Sequence, residues 1–323
     1  MSALLEVEGL TVTLPTDRGP VTIVDRVDYR VEPGQVFGVA GESGSGKTIS
    51  MLALTQLLPA GAKVAGRALY GGRDLLALRR RELRAVRGRE IAMVFQDPLT
   101  SLHPMLTIGR QLTEHVRFHE KASKSAADAR AVELLAQVRI PDPEQALRAF
   151  PHQFSGGMRQ RIAIAIALAC RPKLLIADEP TTALDVTVQA GILRLLDGLR
   201  HETGLSVILI THDLGVMSAI ADHVSVFYAG RIVETGPTRE LLGRPRHPYT
   251  RALLDALPHP EATEGSELVA IPGSPPTPRL RPPGCAFHPR CAYARDACAL
   301  EVPPLVPVSD LRTLACPVDP LGP

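Results

Sequence analysis

The stretch "GESGSGKT", residues 41–48, constrains this chain more than any other feature. Gly41, Gly46, Lys47 and Thr48 stand in the register of a phosphate-binding loop, after the apolar "QVFGVA" and before the helical "TISMLALTQLL". Glycines let successive backbone N–H groups turn inward around phosphate oxygens, a lysine supplies a cation to the β and γ phosphates, and a hydroxyl binds Mg²⁺. The loop residues Gly41, Glu42, Ser43, Gly44, Ser45, Gly46, Lys47 and Thr48 are therefore expected to cradle a nucleoside triphosphate, with Thr48 on the metal. A strand, loop and helix in this order belong to a layered α/β protein.

The surrounding sequence agrees. Short apolar runs alternate with helical patterns, which predicts a mainly parallel sheet covered by helices. Four runs matter: "QVFGVAG" (35–41), "IAMVFQ" (91–96), "LLIADE" (174–179) and "SVILITH" (206–212). Ligands in open α/β sheets bind outside the carboxyl ends of the strands, so four polar strand ends can serve one site. Asp178 is placed to hold the Mg²⁺ shell and Glu179 to polarise an attacking water. Gln96 and His212 end the other two runs, one side chain for the metal or water and one for the γ-phosphate. About 75 residues between the second and third runs read as a helical insertion. It includes "SAADARAVELLAQV" (125–138), where Val132, Leu135 and Val138 recur at helical spacing.

The stretch "FSGGMRQR" (154–161), followed by an apolar helix, "LLIADE" and "TTALD", carries the resemblance. With these motifs the chain resembles the ATP-binding subunit of an ABC transporter over essentially its whole length. The resemblance implies a P-loop NTPase cassette: a mainly parallel core sheet, an antiparallel β region and an inserted helical subdomain near 97–160, all within residues 1–236. It also implies a cassette dimer, in which Ser155, Gly156 and Gly157 of one subunit cover the ATP held by the other and Asp185 couples the two sites. A helix N-terminus with unpaired N–H groups suits that contact. The family pattern has Leu and Gln where this chain has Phe154 and Met158. It also stacks adenine on an aromatic residue upstream of the phosphate loop, yet no aromatic precedes Tyr29. Leu14 stands in that place, and Tyr29, mid-strand in "VDYRV", reads as core. A missing stacking partner costs about 1 kcal/mol, so adenine is expected to be held weakly.

Three further stretches resemble the peptide-import branch, which takes up dipeptides, oligopeptides or nickel: "FQDPLTSLHP", "RHPYTRALLDALP" (246–258) and a cysteine-bearing tail. The implied role is to power import of short peptides; the same machinery importing nickel or another small solute is the alternative. Implied partners are two transmembrane permease subunits, a second ATPase subunit, related or identical, and an extracytoplasmic peptide-binding protein.

Proline marks the tail: 11 of 29 lie in residues 1–236 and 18 in the last 87. Proline is excluded from helix interiors and central strands, so residues 237–323 are expected to form a small loop-rich unit that needs support beyond a layered core. Cys285, Cys291, Cys298 and Cys316 lie there, whereas Cys170 ends the apolar "IAIAIALAC" and reads as core. Disulfides are disfavoured in a reducing cytoplasm, leaving free thiols, zinc or an iron–sulfur cluster. Structural zinc usually shows a C-x2-4-C pair, and none is present. Four thiolates can hold a [4Fe–4S] cluster. The resemblance favours that reading, since members of the branch with this pattern carry one.

Charge and hydropathy limit the classes. Lys and Arg total 36 against 34 Asp and Glu, a near-neutral balance with no basic field for nucleic acid. A soluble ABC-type ATPase acting on DNA or RNA is thereby disfavoured. No secretory signal opens the sequence, and the nine-residue run Ile162–Cys170 is far short of the ~20 residues that span a bilayer. The expected place is the cytoplasmic face of the plasma membrane, held there by partners.

Overall fold

Each of the four apolar runs is a strand: Val36–Ala40, Ile91–Val94, Leu174–Asp178 and Ser206–Thr211. Val36–Ala40, Leu174–Asp178 and Ser206–Thr211 are buried at every position, the pattern of strands covered on both faces. The computed structural model describes residues 3–97, 101–182, 184–257 and 270–322. Pro98, Leu99 and Thr100 of "FQDPLTSLHP", Ala183 of "TTALD" and Pro258 of "RHPYTRALLDALP" lie outside the described residues.

The chain divides into two compact units. The first comprises Met1–Glu32, Val36–Leu76 and Thr211–Pro323. Here Val36–Ala40 pairs in parallel with His223–Tyr228, which continues antiparallel into Arg231–Pro237, then Arg312–Leu314 and Val306–Ser309. A second, antiparallel sheet runs in the order Val21–Val31, Leu5–Leu14, Lys63–Tyr70, Arg73–Asp74. Tyr29 is buried there, stacked on Phe37 at 5.3 Å, in the core position that its mid-strand place implies. Leu14 ends its strand half-buried, paired with Val21.

The tail folds within this first unit. After the helices Thr238–Gly243 and Pro248–Asp255, its described residues from 270 on form the one-turn helices Pro278–Leu280, His288–Arg290 and Asp296–Ala299 and two short strands joined by irregular chain, as its prolines require. Sheet pairing anchors it: Glu234 opposes Leu314 and Thr235 opposes Thr313.

The second unit comprises Pro33–Gln35 and Ala77–Ile210. Ile91–Val94, Leu174–Asp178 and Ser206–Thr211 lie side by side in parallel. The expected helical stretch holds Ile108–Glu120, capped by Thr107, and Lys124–Gln137, capped by Ser123. The buried stripe of the latter is Ala127, Ala131, Leu134, Leu135 and then Val138. Val132 only flanks it, half-buried, because small alanines occupy the contact face where periodicity had picked out a valine. Cys170 is buried, and burial pushes its thiol up to about 11.

Candidate functional site

The phosphate loop is shaped by its glycines. Gly41 has φ 140, and a Cβ there would meet the Phe227 carbonyl oxygen at 2.2 Å. Gly46, φ 100, takes the left-handed conformation immediately before the helix Lys47–Leu54. Only 5 % of Lys47 is exposed, and its Nζ donates to the carbonyls of Gly41 at 2.7 Å and Glu42 at 2.9 Å. The ammonium thus ties the ring of the loop together from inside. Thr48 sits exposed in the first turn of the helix, and Ser43 and Gly44 are exposed at the loop crest. Ser45 is fixed from below, its carbonyl accepting from the Gly230 N–H at 2.8 Å. His212, in the same unit, is exposed at the end of Ser206–Thr211.

In the second unit Asp178 ends its strand almost fully buried. Glu179 follows with φ 46, a backbone strain for a non-glycine residue of about 1–3 kcal/mol that active sites tolerate. Its N–H donates to the Ile210 carbonyl at 2.9 Å. The Glu179 Oε2 accepts from Gln96 Nε2 and from the Thr182 hydroxyl, both at 2.9 Å. Of the residues expected to serve catalysis, Gln96 and Glu179 are in direct contact; Thr182 was not expected, and its place three residues after Glu179 was the available signal.

Ser155 caps the helix Gly156–Ala167 by accepting from the Met158 N–H at 3.4 Å. Ser155 and Gly156 are exposed at that N-terminus, open to an anion. Gly157 has a packing reason as well: a Cβ there would meet Val188 Cγ1 at 2.4 Å. Val188 lies in the helix Val186–Thr203, capped by Asp185, whose Oδ1 accepts from the Val188 N–H at 2.9 Å. Asp185 therefore holds the very residue on which Gly157 packs. The departure at Phe154 is absorbed by burial of its ring.

The loop residue Glu42 is braced from the tail. Its N–H donates to the Tyr249 hydroxyl at 2.8 Å, and its carboxylate accepts from both Arg290 terminal nitrogens, at 2.8 and 3.1 Å. Arg290 Nε donates to the Pro272 carbonyl at 2.8 Å, and its Nη1 to the Tyr228 hydroxyl at 3.2 Å. Burial works against this guanidinium's charge, but Glu42 and Tyr228 outweigh it and hold it protonated. Behind it the rings of Tyr228, Tyr249 and Phe287 pack with centroids 4.5–5.3 Å apart. None of these partners was expected from sequence, although "RHPYT" marked Tyr249.

Cys285, Cys291, Cys298 and Cys316 line one pocket, together with His247 and Phe287. Burial pushes the Cys285 thiol up to about 11, and the other three cysteines add to it. Burial likewise raises Cys291 and Cys316. Among the described residues no group of three or more His, Cys, Asp or Glu side chains is arranged to hold a metal ion. Beside the pocket Glu234, 1 % exposed, accepts from the Arg246 and His247 N–H groups, both at 3.0 Å, and from Arg312 Nη2 at 2.7 Å. It holds the "RHPYT" turn in place.

Among the described residues no helix is long and apolar enough to cross a membrane. Residues 24–182 match the ABC transporter family and residues 233–298 the C-terminal region of oligopeptide/dipeptide transporters. The chain is 47% identical to the oligopeptide transport ATP-binding protein OppD of Salmonella typhimurium, over 98% of this chain and 93% of that one. It is also 47% identical to the dipeptide transport ATP-binding protein DppD of Escherichia coli, over 99% and 98%. Among solved structures, the dimeric post-hydrolysis state of the ATP-binding cassette MJ0796 with ADP and Pi aligns at a TM-score of 0.65 and 27% identity, covering 73% of this chain and 99% of that one. With the phosphate loop built as described and near-half identity sustained from end to end, the chain belongs to the ABC transporter ATP-binding proteins of the oligopeptide and dipeptide transport group.

Proposed function

We propose that this chain hydrolyses ATP to drive import of oligopeptides or dipeptides through an ABC transporter. The observation that carries it is the conjunction of the Lys47-closed phosphate loop with 47% identity to peptide-transport ATP-binding proteins along nearly the whole chain. The loop from Gly41 to Thr48 holds the phosphates. Thr48, Gln96 and Asp178 would supply the oxygen ligands for Mg²⁺, a hard cation that takes hydroxyl, amide and carboxylate donors. Glu179 polarises the attacking water and His212 contacts the γ-phosphate. Ser155, Gly156 and Gly157 cover the nucleotide of a second ATPase subunit, with Asp185 bracing them. Residues 1–236 act as the cassette, the helical stretch near 97–160 as its moving part, and 237–323 as a cap.

The partners are two permease subunits, the second ATPase subunit and an extracytoplasmic peptide-binding protein, and the chain works peripherally at the cytoplasmic face. Support for a permease contact comes from the helical stretch, where Phe118, 70% exposed, lines a pocket with His103, Leu106 and His115. Cys285, Cys291, Cys298 and Cys316, which line one pocket, would be the thiolate ligands of a [4Fe–4S] cluster, which would supply a cross-link to the proline-rich tail. Purification from membranes in mild detergent tests the assignment. Co-purification of permeases with peptide-stimulated ATP hydrolysis is expected, and an ATPase without membrane partners would overturn it.

A further inference from the structure

Glu179, Pro180, Thr181 and Thr182 make a tight turn directly after the strand Leu174–Asp178, closed by the Thr182 N–H donating to the Glu179 carbonyl at 3.2 Å. Pro180 stands second in it, where a ring that fixes φ at about −65° suits the turn. Pro180 and Thr181 are buried, while Glu179 and Thr182 are half-buried at its two ends. The turn brings those two side chains together, and the Thr182 hydroxyl donates to Glu179 Oε2 at 2.9 Å. The backbone of Glu179 is fixed as well, at φ 46 with its N–H held by the Ile210 carbonyl.

Gln96 Nε2 gives the same oxygen a second hydrogen bond at 2.9 Å, but the two donors differ in kind. Gln96 is exposed and lies 83 residues away in the chain, past the end of the strand Ile91–Val94. Its amide also has the proposed Mg²⁺ shell to serve, a task for the oxygen and not the nitrogen. Thr182 is tied to Glu179 through backbone and side chain together. Hydrogen bonds to an ionised acceptor are roughly twice as strong as neutral ones. Such an anchor matters at a reacting group, where a misplacement of about 1 Å can cost ~100-fold in rate.

We propose that Thr182 is a positioning residue for Glu179, its hydroxyl anchoring Oε2 and so setting the direction from which the carboxylate meets the attacking water. The inference rests on the reading of Glu179 as the polarising group. Thr182 itself touches neither nucleotide nor water in this role; it acts through Glu179 alone. The residue type is specific to the task. Ser supplies the same donor, whereas Val supplies the same shape without one.

The test is ATP hydrolysis by the full chain in the transporter complex purified from membranes. Thr182→Val is expected to lower kcat about tenfold with KM for ATP unchanged, as loss of one charge-assisted hydrogen bond felt only in the transition state. Thr182→Ser should return kcat to within about twofold of the parent, since it restores the donor. Single-turnover hydrolysis by Glu179→Gln should not slow further when Thr182→Val is added, because both changes act on one carboxylate. A parental kcat in Thr182→Val overturns the role of Thr182 and leaves that of Glu179. Equal losses in Thr182→Val and Thr182→Ser, or a further tenfold loss in the double variant, do the same. Thr182→Ala, which cannot overpack the turn, is measured beside Thr182→Val; a lowered melting temperature in both that Thr182→Ser does not restore makes the residue structural and overturns the proposal. Parental hydrolysis by Glu179→Gln removes the polarising reading, and the proposal falls with it.

Discussion

The Arg290 guanidinium holds the Glu42 carboxylate through two hydrogen bonds, Nη1 to Oε2 at 2.8 Å and Nη2 to Oε1 at 3.1 Å, joining positions 248 residues apart. One end of this pair is the second residue of the phosphate loop; the other stands next to Cys291. Paired donors in a fork are the strong form of this contact, and the guanidinium is nearly buried while the carboxylate keeps some solvent. The tail is thus a brace on the nucleotide loop as well as a carrier of cysteines.

Removing the brace should loosen the loop. Arg290→Gln is expected to cost about 2 kcal/mol of stability, in the range of hydrogen bonds to charged groups. The KM for ATP should rise more than kcat falls, because the loop binds ground and transition states alike. Arg290→Lys restores charge without the fork and should recover part of the loss. Denaturant unfolding and steady-state ATP hydrolysis check the two effects separately; an unchanged KM in a stably folded variant would remove the loop from the explanation.

Glu179→Gln keeps the shape of the side chain that accepts from Gln96 and Thr182 but loses the charge that the proposed water-polarising role requires. Phosphate release is expected to drop at least ~100-fold, with ATP binding preserved. Hydrolysis at the parental rate would show that Glu179 is not the polarising group.

Gly157→Ala places a methyl where Val188 Cγ1 stands 2.4 Å away. Overpacking of this kind costs about 1–3 kcal/mol. The double variant with Val188→Ala should regain most of it, because the clash and its relief are one interaction. Thermal unfolding of the four combinations measures the coupling, and simple additivity would disprove it.

Asp25 provides a pH signature. Burial alone would raise its carboxyl, but the hydrogen bond and charge of Arg231, with Arg26 and Arg281, hold it below the usual carboxylate value. Arg231 Nε lies 2.9 Å and Arg281 Nη1 3.6 Å from Asp25 Oδ2. A depressed folded pKa means stability fully present above the unfolded value and lost as pH falls through the folded one. Asp25→Asn should therefore be less stable than the parent at pH 7, by about 1.5 kcal/mol. The gap should close in acid below pH ~4, where the parent carboxyl protonates. Urea titrations across pH 3–7 would reveal it, and a pH-independent gap would point to shape rather than charge.

Chemistry carried by consecutive residues was legible before any coordinates. The loop Gly41–Thr48, the strand-end acids Asp178 and Glu179 and the cap at Ser155 each depend on a short run of residue types, because local backbone geometry dictates glycine, acid or hydroxyl there. The four core strands were legible for the same reason, as apolar runs bounded by polar ends. What folding alone decided are pairings at irregular separations: Arg290 with Glu42, Gly157 against Val188, Glu234 under His247 and Arg312. No periodicity connects such residues, so nothing in the linear pattern distinguishes Arg290 from the tail's other arginines. Only the path of the chain brings its guanidinium out of water beside the Glu42 carboxylate, where geometry and desolvation give the contact its strength.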